Sequence, residues 1–191
     1  MMPELSPTVI RAAQIFDAPF AAPLIQETIG AIGRALTGTT SDGDAAHVIA
    51  EFFPLRGHRL SFTNTLIAER GGRPVGLLVA YPGELAVMLD QPFREHRRSL
   101  GLPPTVDSEG LPGELYLDTL AVTAGARGQG VGSALLEAAP DLARRAGVRR
   151  LGLLVEDGNP AVGLYARHGF TPAGERVVAG GRFMHLTRDL E

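Results

Sequence analysis

Hydrophobic and polar positions follow two periods along this chain, and the two periods divide it into helices and strands. Apolar residues at spacings of three and four predict helices over residues 19–36, 44–53, 84–100 and 131–146, with a short one over 159–169. Apolar or alternating runs bounded by turn residues predict strands over 8–16, 59–70, 73–81, 115–122, 151–155, 170–179 and 182–190. Gly71-Gly72 and Gly180-Gly181 each stand between two strands, which indicates two tight hairpins.

Three details refine these elements. Asp44 is a plausible N-cap for the second helix. Pro140 lies inside the fourth helix, and a mid-helix proline removes a hydrogen bond, so we expect a kink near Leu136 or two shorter helices. Residues 82–114 interrupt the regular succession of elements and are predicted to be an insertion before the strand at 115–122.

Composition restricts the classes of protein that the chain can belong to. With 191 residues, 45% of them hydrophobic, residues 1–191 are expected to form a single domain. A formal net charge of −3 gives no basis for nucleic-acid binding. No apolar run reaches about 18 residues and the amino terminus has no leader pattern, so no membrane association and a cytoplasmic location are expected.

The absence of cysteine and the spacing of histidine limit the chemistry. With no cysteine there is no thiolate metal site and no acyl-cysteine intermediate, so an acyl transfer would use another nucleophile or go directly to its acceptor, and direct transfer in a ternary complex is favoured. The five histidines show no metal-ligand spacing, and no metal site is expected.

The strongest candidate for chemistry is the segment Arg127-Gly-Gln-Gly-Val-Gly132, the glycine loop, between the strand at 115–122 and the helix at 131–146. Its glycines allow backbone N–H groups to approach an anion at the positive end of a helix, and Arg127 offers a planar donor suited to phosphate. A Walker-type P-loop is excluded, because Gly130 is followed by Val131 and the chain contains no lysine. A dinucleotide fingerprint is disfavoured, since Ser133 replaces its third glycine.

The glycine loop resembles the Arg/Gln-x-x-Gly-x-Gly/Ala pattern of the GNAT superfamily of acyl-CoA-dependent N-acetyltransferases, with Arg127, Gly130 and Gly132 at the matching positions. A second block, Asn159-Pro-Ala-Val-Gly-Leu-Tyr-Ala-Arg-His-Gly-Phe170, is similar to the family's Asn-helix-Leu-Tyr-x-x-x-Gly-Phe segment. The resemblance covers roughly residues 115–190. It implies a mixed α/β fold with a mostly antiparallel sheet of about seven strands and one parallel pair splayed around acetyl-CoA.

The resemblance also implies which residues contact the co-substrate acetyl-CoA. The pantetheine arm would lie along the strand at 115–122, and the Val122 N–H would stabilise the thioester oxyanion. The implied cofactor-binding residues are Leu120, Ala121, Val122, Arg127, Gly128, Gln129, Gly130, Val131, Gly132, Ser133, Asn159 and Tyr165. Asn159 is also a plausible helix N-cap, followed by Pro160 at the first helical position.

Two side chains are candidates for proton transfer. By the resemblance, the Tyr165 hydroxyl would protonate the departing CoA thiolate, although the residue could also be an ordinary aromatic at the edge of the core. Strand alternation places Tyr116, Asp118 and Leu120 on one face and Leu117, Thr119 and Ala121 on the other. Asp118 is then the best-placed general base or a structural aspartate, with Glu114 and Glu156 as weaker alternatives.

The acceptor is left open by the sequence. A small polyamine, an amino acid, an aminoglycoside-like amine and a protein amino terminus all agree with it. A non-catalytic acyl-CoA-binding module and a nucleotide-binding protein are the alternative functions. An edge strand that pairs between subunits makes a homodimer a reasonable expectation.

Overall fold

A computed structural model describes residues 6–191, which form a seven-stranded sheet with helices on both faces. The strand order is β1-β2-β3-β4-β5-β7-β6, and every neighbouring pair is antiparallel except β4–β5. The strands are β1 Val9–Ala12, β2 Thr65–Arg70, β3 Arg73–Pro82, β4 Leu115–Val122, β5 Arg150–Glu156, β6 Thr171–Val178 and β7 Gly181–Asp189. The expected mixed sheet with one parallel pair is confirmed.

The sheet divides the hydrophobic core into two main layers, and helices cover each of them. They are α1 Ala18–Ile29, α2 Ala31–Thr37, α3 Asp42–Phe52, α4 Ala86–Leu89, α5 Gln91–Ser99, α6 Val131–Arg145 and α7 Val162–Arg167. Apolar side chains of α1 to α3, together with Phe93 of α5, pack on one face of the sheet. Side chains of α6 and α7 pack on the other face. No helix within residues 6–191 is long and apolar enough to cross a membrane.

Several expected boundaries in the first half of the chain are wrong. The first helix divides at Gly30, whose φ of +49° is unfavourable for most residues, and α2 begins at Ala31. The helix α3 begins at Asp42. Its N-cap is Ser41, whose side chain accepts the Asp44 N–H, so the expected N-cap Asp44 lies within the first turn. The long helix expected over 84–100 is two helices separated at Asp90, a buried residue.

The strand expected over 59–70 begins only at Thr65. The preceding residues form a buried loop and a short 3-10 turn, capped by the Ser61 hydroxyl. Arg59 is 0% exposed within this loop, because its guanidinium group is surrounded by carboxylates. An alternating strand pattern cannot anticipate such a charge, since burial of an arginine depends on partners that are distant in sequence.

The two hairpins and the helix with proline also differ in detail. Gly71 and Gly72 both have positive φ, as the predicted tight turn requires. The second turn lies one residue earlier than expected, at Ala179-Gly180, where Val178 pairs with Gly181. The helix α6 is one continuous element across Pro140, so the alternative of two shorter helices is wrong.

A β-bulge in β4 changes which side chains face each layer. Thr119 pairs with Val79 and Leu117 pairs with Ala80, so Asp118 between them has no partner on β3. The predicted alternation is therefore wrong beyond Asp118. Leu117 and Leu120 both pack in the layer of α6, whereas Ala121 packs in the layer of α1.

The parallel pair β4–β5 is joined only at its beginning. Leu115 pairs with Leu151 and Tyr116 with Gly152, and no pairing follows. The last six residues of β4 are thus separated from β5. The other edge of β5 is paired with β7 along its whole length. The sheet opens at this position, and the opening is where the site forms.

Candidate active site

A cavity of about 450 Å³ occupies the opening between β4 and β5. Its walls come from the junction of α1 and α2, from β4 and β5, from the start of the α7 segment and from the β6–β7 turn. The charged and polar side chains in this lining are those of Glu27, Thr28, Glu109, Tyr116, Asp118, Glu156, Asn159 and Tyr165. Sites in α/β sheets form at such positions, where neighbouring strands part.

The open edge of β4 presents backbone donors to the opening between β4 and β5. The Thr123 N–H donates to the Val75 carbonyl on β3 at 2.9 Å. Because successive amides of a strand point to opposite edges, the Val122 and Leu120 N–H groups face β5, whereas the Ala121 N–H faces β3. Val122 and Leu120 are therefore placed to pair with an extended ligand. Ala121 lies between them, and its pairing with β3 holds this part of β4 in the sheet.

The glycine loop lines a second cavity, of about 310 Å³, at the start of α6. Gly128 and Gly130 have φ of +72° and +82°, and no atom lies within 4 Å of a Cβ built on either of them. A Cβ on Gly132 would lie 3.2 Å from the Leu164 side chain, so glycine there allows α6 to approach α7. Val131 and Ser133 complete the wall. Open space in front of the amino end of a 15-residue helix suits the phosphates of a bound anion.

Arg127 and Gln129 are already engaged by other residues. The Arg127 guanidinium donates to the Val122 carbonyl at 3.0 Å and to Glu27 Oε1 on α1 at 2.9 Å. Gln129 accepts from Arg70 Nη1 at 2.7 Å through its side chain and donates to the Gly125 carbonyl at 2.9 Å. Arg70, which the sequence did not single out, thus fixes the conformation of the loop. The Gln129 side chain is thereby held within the loop.

Tyr165 lies on α7 and lines the first cavity. It is 9% exposed, and its ring packs edge-on against Phe170 with the ring centroids 5.9 Å apart. Burial raises the pKa of Tyr165 to about 12. Within residues 6–191 the hydroxyl makes no hydrogen bond, so a protonated phenol is directed at the cavity without a protein partner.

Asn159 also lines the first cavity, and its local role is that of a turn residue. Its Oδ1 accepts the Ala161 N–H at 2.9 Å, and the helix α7 begins only at Val162. The expected position as helix N-cap is two residues too early. Ala161 takes that position, and Asn159 stabilises the turn before it.

Asp118 belongs to a buried ionic network at the closed end of the cavity. Its Oδ2 accepts from the Arg59 guanidinium at 2.6 Å and from the Tyr81 hydroxyl at 2.8 Å. The Thr119 hydroxyl donates to its Oδ1 at 3.0 Å. The side chain is 0% exposed, so all of its hydrogen-bonding capacity is directed to other residues of the protein.

Arg59 joins two further carboxylates to this network. Its guanidinium contacts Asp90 from α4–α5 and Glu109 from the loop before β4, and Glu109 also accepts from the Tyr116 hydroxyl at 2.8 Å. Burial raises the pKa values of both Glu109 and Asp90. The segment 82–114, predicted as an insertion, thus supplies two of the three acids around one buried cation.

The two alternative carboxylates have different surroundings. Glu114 is buried, accepts the Leu111 N–H at 3.1 Å and lies 3.0 Å from His185 Nε2, away from the lining of the first cavity. Glu156 lies at the end of β5, exposed, and lines the cavity. Glu156 is therefore the alternative that a ligand can reach.

Sequence reasoning missed the residues that come from distant segments. Arg59, Glu109 and Glu27 carry no local motif, and each acquires its position only through a partner on another element. Arg59 has no local signal of burial, because it follows Arg56-Gly57-His58, a polar stretch typical of an exposed loop. Within the described residues, no group of histidine and acidic side chains could hold a metal ion.

The chain is similar to known acetyltransferases in both sequence and structure. The sequence profile of the acetyltransferase (GNAT) family matches residues 37–170. A search of curated protein sequences found no match.

Solved structures resemble the chain over nearly its whole length. One, described as the crystal structure of an acetyltransferase, is 31% identical, with a TM-score of 0.78, over 96% of this chain and 100% of that one. An N-acetyltransferase from Staphylococcus aureus Mu50 is 21% identical, with a TM-score of 0.72, over 94% and 99%. N-acetylglutamate synthase from Neisseria gonorrhoeae, complexed with coenzyme A and N-acetyl-glutamate, is 19% identical, with a TM-score of 0.59, over 98% of this chain and 36% of that one.

Proposed function

Because the chain belongs to the acetyltransferase (GNAT) family, we propose that it transfers an acetyl group directly from acetyl-CoA to an amine. The observation that supports this most is the separation of β4 from β5 after Tyr116, with the glycine loop at the end of the same strand. The opening and the loop together offer a path for an extended acyl chain with phosphates at one end.

Residues of the two cavities fit acetyl-CoA. The backbone amides of Gly128, Gly130, Val131 and Gly132 and the side chains of Arg127 and Ser133 would hold its phosphates. Leu120 and Val122 would pair with the pantetheine arm through their free N–H groups. When bound there, acetyl-CoA supplies an acetyl group as an activated thioester.

Two groups of the chain are placed to assist the transfer. The Val122 N–H faces the opening and would donate to the carbonyl oxygen on which negative charge develops. The Tyr165 hydroxyl holds its proton well above neutral pH and would donate it toward the sulfur. The absence of cysteine supports direct transfer in a ternary complex, since the chain has no thiol to carry the acetyl group.

The acceptor amine must lose a proton before it attacks. Asp118, which the sequence favoured for this role, is enclosed by Arg59, Tyr81 and Thr119. We therefore assign Asp118 to positioning, because its interactions hold the bulge that opens β4. Glu156, at the accessible end of the cavity, is the proposed proton acceptor, directly or through water.

Release of free CoA thiol tests this proposal. The purified full chain is incubated with acetyl-CoA and a panel of amines that includes diamines, amino acids, aminoglycosides and peptides with free amino termini. Thiol release that requires an amine supports the enzyme. Binding of acetyl-CoA without release for any amine would favour the non-catalytic acyl-CoA-binding module instead.

A thermal-shift comparison separates the nucleotide-binding alternative. A ligand that binds only the folded state raises the melting temperature. We expect CoA to stabilise the protein, and NAD and ATP to have much smaller effects. Stabilisation by NAD or ATP but not by CoA would overturn the proposed co-substrate.

A further inference from the structure

The charged side chains that line the first cavity are all acidic. Among its lining residues are four carboxylates, two of them, Glu109 and Asp118, at the closed end and two, Glu27 and Glu156, at the exposed end. Of the residues that the structure describes, no arginine or histidine belongs to this lining. Arg59 lies behind the closed end, fully buried, and its guanidinium is occupied by three carboxylates.

A second, independent feature indicates that a ligand reaches this cavity. The Tyr165 side chain is 9% exposed and lines the cavity, and its hydroxyl makes no hydrogen bond within the described part of the chain. The hydroxyl oxygen itself is accessible, since among the described residues the buried side-chain atom without a partner is Gln26 Oε1 and not this one. A ligand that enters between β4 and β5 would supply the missing partner.

The lining selects among acceptors by charge. The carboxylate of an amino acid beside the reacting nitrogen would lie near the exposed acids Glu27 and Glu156 without a cationic side chain in the lining to pair with it, and like charges in a confined site repel. A second ammonium group on the acceptor would instead be attracted. By charge, a diamine or polyamine is therefore more compatible with the acidic lining than an amino acid is.

Glu27 connects this preference to the co-substrate. It lines the first cavity, while its partner Arg127, 2.9 Å away, lines the glycine-loop cavity. Both side chains are more than half exposed, so the pair contributes little and exchanges readily. Phosphate oxygens accept two parallel bonds from a guanidinium group and would compete with Glu27 for Arg127. Glu27 would then face the acceptor as a free carboxylate.

We propose that the acceptor is a small amine with a second cationic group and no carboxylate beside the reacting nitrogen, and that Glu27 holds the second cation once phosphates engage Arg127. The inference rests on the proposed function. It adds the substrate class and makes Glu27 a specificity-determining residue.

Three matched amines test the proposal in the thiol-release assay at saturating acetyl-CoA. Butylamine lacks the second cation, 1,4-diaminobutane carries it, and ornithine adds a carboxylate to the same diamine. We expect kcat/KM for 1,4-diaminobutane to exceed the other two by roughly tenfold, with the difference falling as salt rises. In Glu27→Gln we expect the ratio of diamine to butylamine to fall roughly fivefold.

Glu51→Gln is the control, because it removes the same charge from an exposed glutamate on α3 that lines neither cavity. The ratio should be unchanged in this variant. An ornithine rate equal to or above that of the diamine would overturn the inference, and so would a ratio that Glu27→Gln leaves unaltered.

A binding measurement separates this inference from the proposed function. The melting temperature of the CoA-bound protein is measured with each of the three amines. Stabilisation by 1,4-diaminobutane that is lost in Glu27→Gln, without thiol release, would support the cation site and overturn the transferase. Thiol release with ornithine in preference to the diamine would support the transferase and overturn the cation site. Absence of any diamine-specific stabilisation or rate would also overturn the inference.

Discussion

Replacing Tyr165 by phenylalanine removes one hydroxyl and leaves the rest of the side chain in place. The ring remains buried against Phe170, and no protein group loses a hydrogen-bond partner, because the hydroxyl has none among residues 6–191. We therefore expect the free energy of unfolding to change by less than about 1 kcal/mol. The affinity for CoA should be nearly unchanged as well, because the residues proposed to hold its phosphates lie on the glycine loop and not on α7.

The effect on turnover follows from the proton that Tyr165 holds. A positioned acid contributes about 10²- to 10⁴-fold, and a thiolate with a pKa near ~8.5 is a fairly good leaving group, so the lower end applies. We expect kcat to fall about 100-fold, which corresponds to about 2.7 kcal/mol in the barrier. The thiol-release assay at saturating acetyl-CoA and amine measures this change.

The pH dependence provides a separate check on the same residue. With a pKa of about 12, Tyr165 stays protonated at pH 10, where only about 1% is ionised compared with half of an ordinary tyrosine. We expect no loss of kcat from Tyr165 ionisation between pH 7 and 10. A Tyr165→Phe enzyme with kcat within twofold of the original would refute the role in proton transfer. A decline centred near pH 10 that disappears in the variant would contradict the raised pKa.

Three further perturbations examine the loop and the buried network. Arg127→Ala should weaken CoA binding about tenfold in a calorimetric titration, because one charge-assisted contact to phosphate is lost. Gly130→Ala and Gly101→Ala both place alanine at positive φ, at a cost of about 1–2 kcal/mol each, but only the first should reduce CoA affinity. Arg59→Met should cost about 3–5 kcal/mol at pH 8, as measured by urea denaturation. Part of that loss should be regained at pH 5, because burial raises the pKa of Glu109 and stability is lost as pH rises through that raised pKa.

Each of these predictions has a contrary outcome. Arg144→Ala, an exposed change at the far end of α6, is the control for Arg127, and equal affinities for the two variants would remove Arg127 from the phosphate site. Equal CoA affinity in Gly130→Ala and Gly101→Ala would show that the glycine loop does not approach the phosphates. An Arg59→Met variant with the same stability loss at both pH values would contradict uncompensated carboxylates as the cause.

The site divides into parts that were predictable from the sequence and parts that were not. The glycine loop and the segment from Asn159 to Phe170 are runs of consecutive residues whose turn and helix signals are local, and both lie at the opening of the sheet. The direction of side chains on β4 was predicted wrongly, because the bulge at Asp118 appears only when β4 is paired with β3. Leu120 therefore packs on the face opposite to the one expected.

The order of strands and helices, the prediction of a phosphate site at Arg127–Gly132 and the resemblance to one family came from the sequence itself. These features depend on residues close together in the chain, whose periodicity and turn preferences act locally. Only the tertiary structure decided that Arg59 would be buried among three carboxylates, that Asp118 would be occupied by it and that Glu27 would reach Arg127. A buried charge is stable only beside its partners, and the net charge of a cavity lining depends on which segments form it. Both depend on contacts between residues that are distant in sequence, which local patterns do not predict.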